Sequence, residues 1–507
     1  MAHHLQAGPV QVRYEHGFLR YLRLDGVEVV RMIYFAIRDQ YWQTARLAIT
    51  DELIDQTADS FRISYQWHTD DLGIQMTGQV TITGESDGAI TFDFAGKALN
   101  SFLKNRVGLC VLHPIDGVTG QPCQTVSPDG QQTEERFPDY ISPHQPFFDI
   151  QTLRWQPTSG PGLRLDFTGD VFEMEDQRNW TDASFKTYST PLRLPFPVTM
   201  QPQETVQQRV LFSLESAFPA NEKVNSSPIA QQPEPPISGI ETTQPRIGLS
   251  QRADWQLLSD AEAVLLRKLN LSHLRSDVLL TTADWQTGLT NALADAKALG
   301  VSLELALFFG NDPVHELTKV STFIEHSAGM VGSVLLFDAS NLTTSDQLLR
   351  QVVPVVRTIW PKALLGSGTD GFFADFNRNP FDYNLIDFVT YSVNPQMHAF
   401  DDLTLLENID GQPPTVRTAK YLTGGKPVHI SPITLLPRYT TVARSASERL
   451  SPPADPRQTT EFGADWTRQS LQALTQAGVT SVTYYETHGP RGLVDGSVVL
   501  PVYWAFS

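Results

Sequence analysis

The sequence predicts a two-domain protein, an N-terminal antiparallel β-sandwich followed by a (β/α)8 TIM barrel. Three observations carry this. Apolar and polar residues alternate at period two from Val10 to about Leu214; a stretch rich in Pro, Gln, Ser and Glu follows; and the rest of the chain alternates short apolar runs with amphipathic helical ones. At 507 residues the chain exceeds a single small core, and with 41% hydrophobic and 19% charged residues it reads as globular.

The first domain is assigned to residues 1–218. Its strands show as Val10, Val12 and Tyr14, then Phe61, Ile63, Tyr65 and Trp67, then Ile90, Phe92 and Phe94, each alternating with polar residues as half-buried strands do. Asp25-Gly26, Asp87-Gly88 and Asp129-Gly130 tolerate positive φ and supply turns. Within FLKNRVGLCVLHPI, Asn105 and Arg106 precede a buried-looking strand, and His113 at its end reads as a structural histidine. The Pro-rich, aromatic run RFPDYISPHQPFFDI is expected to be a structured loop. FEMEDQRNWTDASFKTY, from Phe172 to Tyr188, is expected to be a held loop. Its Glu173, Glu175, Asp176 and Asp182 lie near Arg178 and Lys186, with Phe172, Trp180, Phe185 and Tyr188 as anchors. Such a mixture binds sugars and sugar acids; it also describes a surface ion-pair network, each pair of which is worth little.

Residues 219–245 form the expected exposed linker, and residues 246–507 the barrel. Eight apolar runs begin at Arg246, Leu271, Ser302, Gly332, Ala363, Phe388, Pro427 and Ser481. Between them lie helical stretches such as DWQTGLTNALADAKALG and DQLLRQVVPVVRTIW, opened by Asp284 or Asp346 and closed by Gly300 or Pro361. Eight such units are the count of a TIM barrel. A doubly wound open sheet would want a glycine-rich turn after its first strand, and GLSQRADW supplies none.

In a barrel the chemistry sits where strands end. That rule selects Arg275 and Asp277 after strand two, Asp338 after strand four, and Asp375, Asn377, Arg378 and Asn379 after strand five. It adds Asn394, Gln396 and His398 after strand six, and Glu486, His488 and Arg491 after strand eight. Glu486 follows the run SVTYY, so partial desolvation should raise its pKa toward general-base duty. Glu304, inside strand three, reads as a buried structural carboxylate.

Several classes are disfavoured. A net charge of −18 without a Lys/Arg-rich run argues against nucleic acid or an anionic membrane as partner. No run has signal-peptide or membrane-spanning character, and Cys110 and Cys123 are the only cysteines, so a cytoplasmic, reducing location is expected. The 12 histidines form no HExxH or Cys/His pattern, and no EF-hand, P-loop or serine nucleophile elbow occurs, so neither metal nor other cofactor is expected. Glycoside hydrolysis needs two carboxylates flanking the bond. Large-clan barrels place Asn-Glu after strand four and Glu after strand seven, where this chain has FDAS and HISPITLLPRY.

FLKNRVGLCVLHPI, FEMEDQRNWTDASFKTY, ADFNRNP, YSVNPQMHAFDD, PPADPRQT and SVTYYETHGPRG, spread over almost the whole chain, resemble motifs of the D-apionate lactonase family. The resemblance implies hydrolysis of D-apionolactone, or a close aldonolactone, in catabolism of the branched plant sugar apiose, by a β-rich domain followed by a TIM barrel. It also implies a further segment after the barrel. This sequence stops at Ser507 soon after strand eight, the expectation being a shortened relative or a dispensable segment.

Lactone hydrolysis needs an activated water, oxyanion stabilisation and protonation of the leaving alkoxide. Position and residue type assign Glu486 as general base, His398 as general acid or oxyanion donor, and Asp375 as a second, orienting carboxylate. Arg275, Asn377 and Asn394 are expected to bind substrate, with Arg178, Asp182 and Lys186 closing on the sugar hydroxyls. The expected partner is a small sugar lactone. A glycoside hydrolase acting on a plant-derived sugar, or a non-catalytic carbohydrate-binding protein, remain the alternatives.

Overall fold

The computed structural model describes residues 2–158, 160–215, 244–439, 445–448 and 454–507. They divide into two compact units, 2–177 with 184–215, and 178–183 with 244–507. The linker expected at 219–245 lies, up to residue 243, outside the described residues.

In the first unit the described strands form an eight-stranded and a nine-stranded antiparallel sheet. Period two dictates their burial: along Phe61–Asp71, Phe61, Ile63, Tyr65 and Trp67 are buried while the residues between them face outward. The two inner faces make the core, where Phe35 of one sheet meets Trp67 and Phe94 of the other with ring centroids 5.1 and 4.4 Å away. Asp25 and Gly26, at φ 51° and 82°, close the hairpin that pairs Leu24 with Val27.

His113 is fully buried, its Nε2 2.8 Å from the Thr187 hydroxyl, and burial lowers its pKa to about 3, so it is a neutral structural histidine. The run from Arg136 to Ile150 has no strand beyond Arg136 except an isolated bridge between Ile150 and Phe172. The Phe172–Tyr188 stretch differs from the loop expected. It is a hairpin, Glu173–Asp176 against Ser184–Tyr188, joined by a 3-10 turn at Gln177–Trp180. The reason is the long strand Phe102–Pro114, whose edge from Cys110 to Pro114 takes up Ser184–Tyr188 as a further antiparallel partner.

In the second unit eight parallel strands close into a barrel. They are strand one (Arg246–Ser250), two (His273–Leu279), three (Ser302–Phe309), four (Val331–Asp338), five (Leu364–Gly368), six (Phe388–Val393), seven (Val428–Ile433) and eight (Ser481–Glu486). The helix Trp285–Leu299 ends on Gly300 at φ 74°, a left-handed cap that suits glycine. The helix Asp346–Ile359 is capped by Ser345, whose hydroxyl accepts from the Leu348 N–H, so Asp346 is a first-turn acid instead of the cap. Among the described residues no helix is long and apolar enough to cross a membrane.

Candidate active site

The ends of strands one, two, seven and eight surround a cavity of about 300 Å³. Trp255 and Trp285 give it flat apolar walls, and Arg252, Asp277, Arg438, Glu486 and Arg491 line it with charge. Glu486 ends strand eight with its side chain 15% exposed, so solvent in the cavity reaches it. Burial pushes its carboxyl above the usual glutamate range; the Arg491 guanidinium, 2.9 Å away, and the Ala253 N–H oppose that shift, Asp254 adds to it and Arg252 subtracts. The Glu486 N–H donates to the Arg491 carbonyl at 3.0 Å, which ties the following loop back onto the strand.

Arg275, expected to bind substrate, is among the residues lining the cavity, with its side chain buried and its guanidinium bonded within the protein. Its guanidinium donates to Asp277 at 2.9 Å, to the Ser431 hydroxyl at 3.0 Å, and to Asp370. Arg438 donates to the same two carboxylates, Asp277 at 2.8 Å and Asp370 at 2.7 Å, and the Tyr439 hydroxyl reaches Asp370 at 2.7 Å. Burial works against the charge on Arg275, but Asp277, Asp370 and Glu304 outweigh it and raise its pKa. Glu304 accepts from Ser431 at 2.6 Å and is fully buried. Its own burial would raise its pKa, yet His273, Arg275 and His429 hold it below the usual range. The floor of the cavity is thus a fixed charge lattice.

Most of the other expected residues gather elsewhere in this unit, around Arg178–Ala183. Asp182 pairs with His398 Nδ1 and accepts from the Asn408 amide at 2.8 Å. Asn377 donates to Asn179 at 3.0 Å, and the Thr181 hydroxyl donates to the Asn394 carbonyl at 2.9 Å. Trp180 packs edge-on to Phe372 and His398, with centroids 5.3 and 6.0 Å apart, and Arg378 lies over its ring. Asp375 accepts from the Phe372 N–H at 3.0 Å and so caps the short helix Phe373–Arg378. Arg178 is buried at 1% exposure. None of Arg178, Asp182, Asp375, Asn377, Asn394 and His398 lines the 300 Å³ cavity. Lys186 belongs to the first unit, where its ammonium pairs with Glu175 at 2.8 Å and lies over the Tyr188 ring.

Asp370, Arg438 and Asp455 were not selected from sequence. Arg438 follows strand seven, where the strand-end rule could have found it. Asp370 follows strand five, but there the denser ADFNRNP run draws attention instead. Asp455 is held by Arg457 at 2.8 Å and by Gln396 at 2.6 Å; its burial is offset by these bonds, and its pKa is lowered. Among the described residues no group of three or more His, Cys, Asp or Glu side chains converges as metal ligands do.

Two family models match the chain, one described as D-apionate lactonase, N-terminal domain, over residues 1–217, the other as D-apionate lactonase, TIM barrel domain, over residues 247–506. The D-apionate lactonase of Brucella anthropi is 29% identical across 97% of this chain and 83% of its own length. Among solved structures, a beta-arabinopyranosidase aligns over 94% of this chain and 85% of its own at 8% identity and a TM-score of 0.31. A GH30 endoxylanase from Clostridium papyrosolvens C71 aligns over 52% and 71% at 9% identity and a TM-score of 0.34. Similarities that low have no bearing on activity. The two family matches cover both domains, and the chain belongs to the D-apionate lactonase family, which makes it a lactonase, a hydrolase acting on an ester bond.

Proposed function

We propose that this chain opens D-apionolactone, or a closely related aldonolactone, to the free sugar acid, with Glu486 as general base. The observation that carries the reading is a carboxylate of raised pKa facing a cavity of about 300 Å³ walled by two tryptophans and edged by arginines. That volume sits at the small end of ligand pockets, which run from about 300 to 1,000 Å³, and suits one sugar ring better than an oligosaccharide.

In the reaction, the Glu486 carboxylate takes a proton from water as the water oxygen bonds to the lactone carbonyl carbon. Negative charge develops on the carbonyl oxygen, where Arg252 and Arg491 supply positive potential. The ring C–O bond then breaks, and the proton held by Glu486 passes to the leaving alkoxide, restoring the base. The product acid ionises into solvent. Asp277 and Arg438 present polar groups to the sugar hydroxyls, and the lattice beneath them keeps both from moving. In this reading Asp182, His398, Asn377 and Asn394 hold Arg178–Ala183 onto the barrel, Asp375 caps a helix, and Lys186 serves the first unit. A cytoplasmic enzyme of carbohydrate catabolism whose partner is a small lactone, with no role for nucleic acid or membrane, fits the acidic composition.

A pH-indicator screen of aldonolactones tests this. The expected result is acid release from a five-carbon sugar lactone. Release of sugar from aryl glycosides with no lactone turnover would make the chain a glycosidase, and stabilisation by sugars without turnover of either would make it a binding protein.

A further inference from the structure

We infer that Tyr485, held by the Thr467 hydroxyl, is the positioning residue that turns Glu486 into the barrel mouth; the inference rests on Glu486 being the base. Successive side chains of a strand point to opposite faces. In strand eight, Thr483 points inward, its hydroxyl 2.8 Å from His273 Nε2 and 2.9 Å from the Ser431 hydroxyl. Tyr484 points outward, its hydroxyl 2.8 Å from Ser470 on the helix Glu461–Gln476. Tyr485 should point inward again. Instead its hydroxyl lies 2.7 Å from Thr467 on that same helix.

The register explains how. Strand one pairs Leu249 with Tyr484 and Ser250 with Glu486, leaving Tyr485 unopposed. Tyr485 has φ 46°, the left-handed region that a bulky residue enters only under strain. This is a one-residue bulge, a device that re-aims the side chain beyond it. Without it, alternation would send Tyr485 into the barrel and Glu486 outward to the helix layer, as any one-residue slip does. Tyr485 and Thr467 are both buried, and the Thr467 hydroxyl donates onward to the Gly463 carbonyl at 2.6 Å, so it accepts from Tyr485. The bulge is therefore fixed from outside the barrel, by a threonine that does not line the cavity.

Thr467→Val keeps the shape and deletes the acceptor, and Tyr485→Phe deletes the donor. Each should lower kcat on the lactone about 10-fold or more while KM stays within about 2-fold, and the double variant should be no worse than either, because one bond is removed in all three. Thr467→Ser should restore the wild-type rate. Independently of turnover, the Glu486 carboxyl, titrated by NMR against a Glu486→Gln reference, should shift away from its wild-type midpoint in Thr467→Val and Tyr485→Phe as it leaves its place beside Arg491 and the Ala253 N–H. Arg491, Arg252 and Asp254, the charges around it, are unchanged in these variants. A lowered melting temperature with kcat and the titration both unchanged would overturn the inference. Should Thr467→Val not fold, Tyr485→Phe carries the same reading. If Glu486→Gln itself kept wild-type turnover, the proposed base would fall, and the titration would still decide whether Tyr485 sets the aim of Glu486.

Discussion

The barrel unit holds two groups of polar side chains at its strand ends, built from the same kinds of residue and differing in where their atoms point. Around Glu486, on strands one, two, seven and eight, the charges line a cavity, and one carboxylate is held at raised pKa beside it. Around Trp180, beyond strands five and six, the polar atoms answer one another: Asp182 with His398 and Asn408, Asn377 with Asn179, Thr181 with Asn394, Asp375 with a backbone N–H. Residue type and strand-end position do not separate a reacting group from a scaffolding one. In the proposed reading the distinction is access to the cavity, which Glu486 lines while also pairing with Arg491, and which the Trp180 group does not line.

The contrast is broken most readily at its working end. Glu486→Gln keeps shape and removes the proton acceptor, so kcat should fall by about 100-fold or more with KM little changed, measured by lactone hydrolysis. Unchanged turnover would move the base role to Asp375. Asp370→Asn attacks the lattice under the cavity. Three donors converge on that buried carboxylate, so a loss of about 3 kcal/mol in stability is expected by denaturant titration, together with slower turnover.

His398→Gln sharpens the comparison from the other side. It removes the partner of buried Asp182, so about 1 to 3 kcal/mol of stability should be lost while kcat/KM stays within about 3-fold. A large kinetic loss in a variant of normal stability would move the chemistry to that group. The smallest kinetic effect is expected for Lys186→Met. Its pair with Glu175 is largely buried in the first unit, so thermal melting should register about 1 kcal/mol or more with kinetics unchanged. A loss of about 2 to 4 kcal/mol in transition-state stabilisation would instead place it in the site.

Periodicity made both domains legible. The eight apolar runs read from sequence correspond to the eight barrel strands, because a strand buried on both faces is rich in apolar residues even where a few buried polar groups such as Arg275 and Glu304 interrupt it. Glu486 was legible too, as a carboxylate terminating such a run. The Phe172–Tyr188 stretch was not legible as a hairpin, since its charges hide a strand that is buried along its whole length, Ser184–Tyr188. Nor could spacing show that Arg178–Ala183 belongs with the barrel, because the bond from Asp182 to His398 joins residues 216 positions apart. The left-handed Tyr485 leaves no trace in sequence, since tyrosine is not a residue that announces positive φ.

The pH dependence of kcat/KM, compared in the wild-type enzyme, Glu486→Gln and His398→Gln, tests the central claim most directly. A general base works deprotonated, so activity should rise with pH through the Glu486 carboxyl, at a midpoint above the usual glutamate range because burial raises it. The account predicts that this acid limb is present in the wild-type and in His398→Gln and is absent from the residual activity of Glu486→Gln. An acid limb kept in Glu486→Gln and lost in His398→Gln would contradict it.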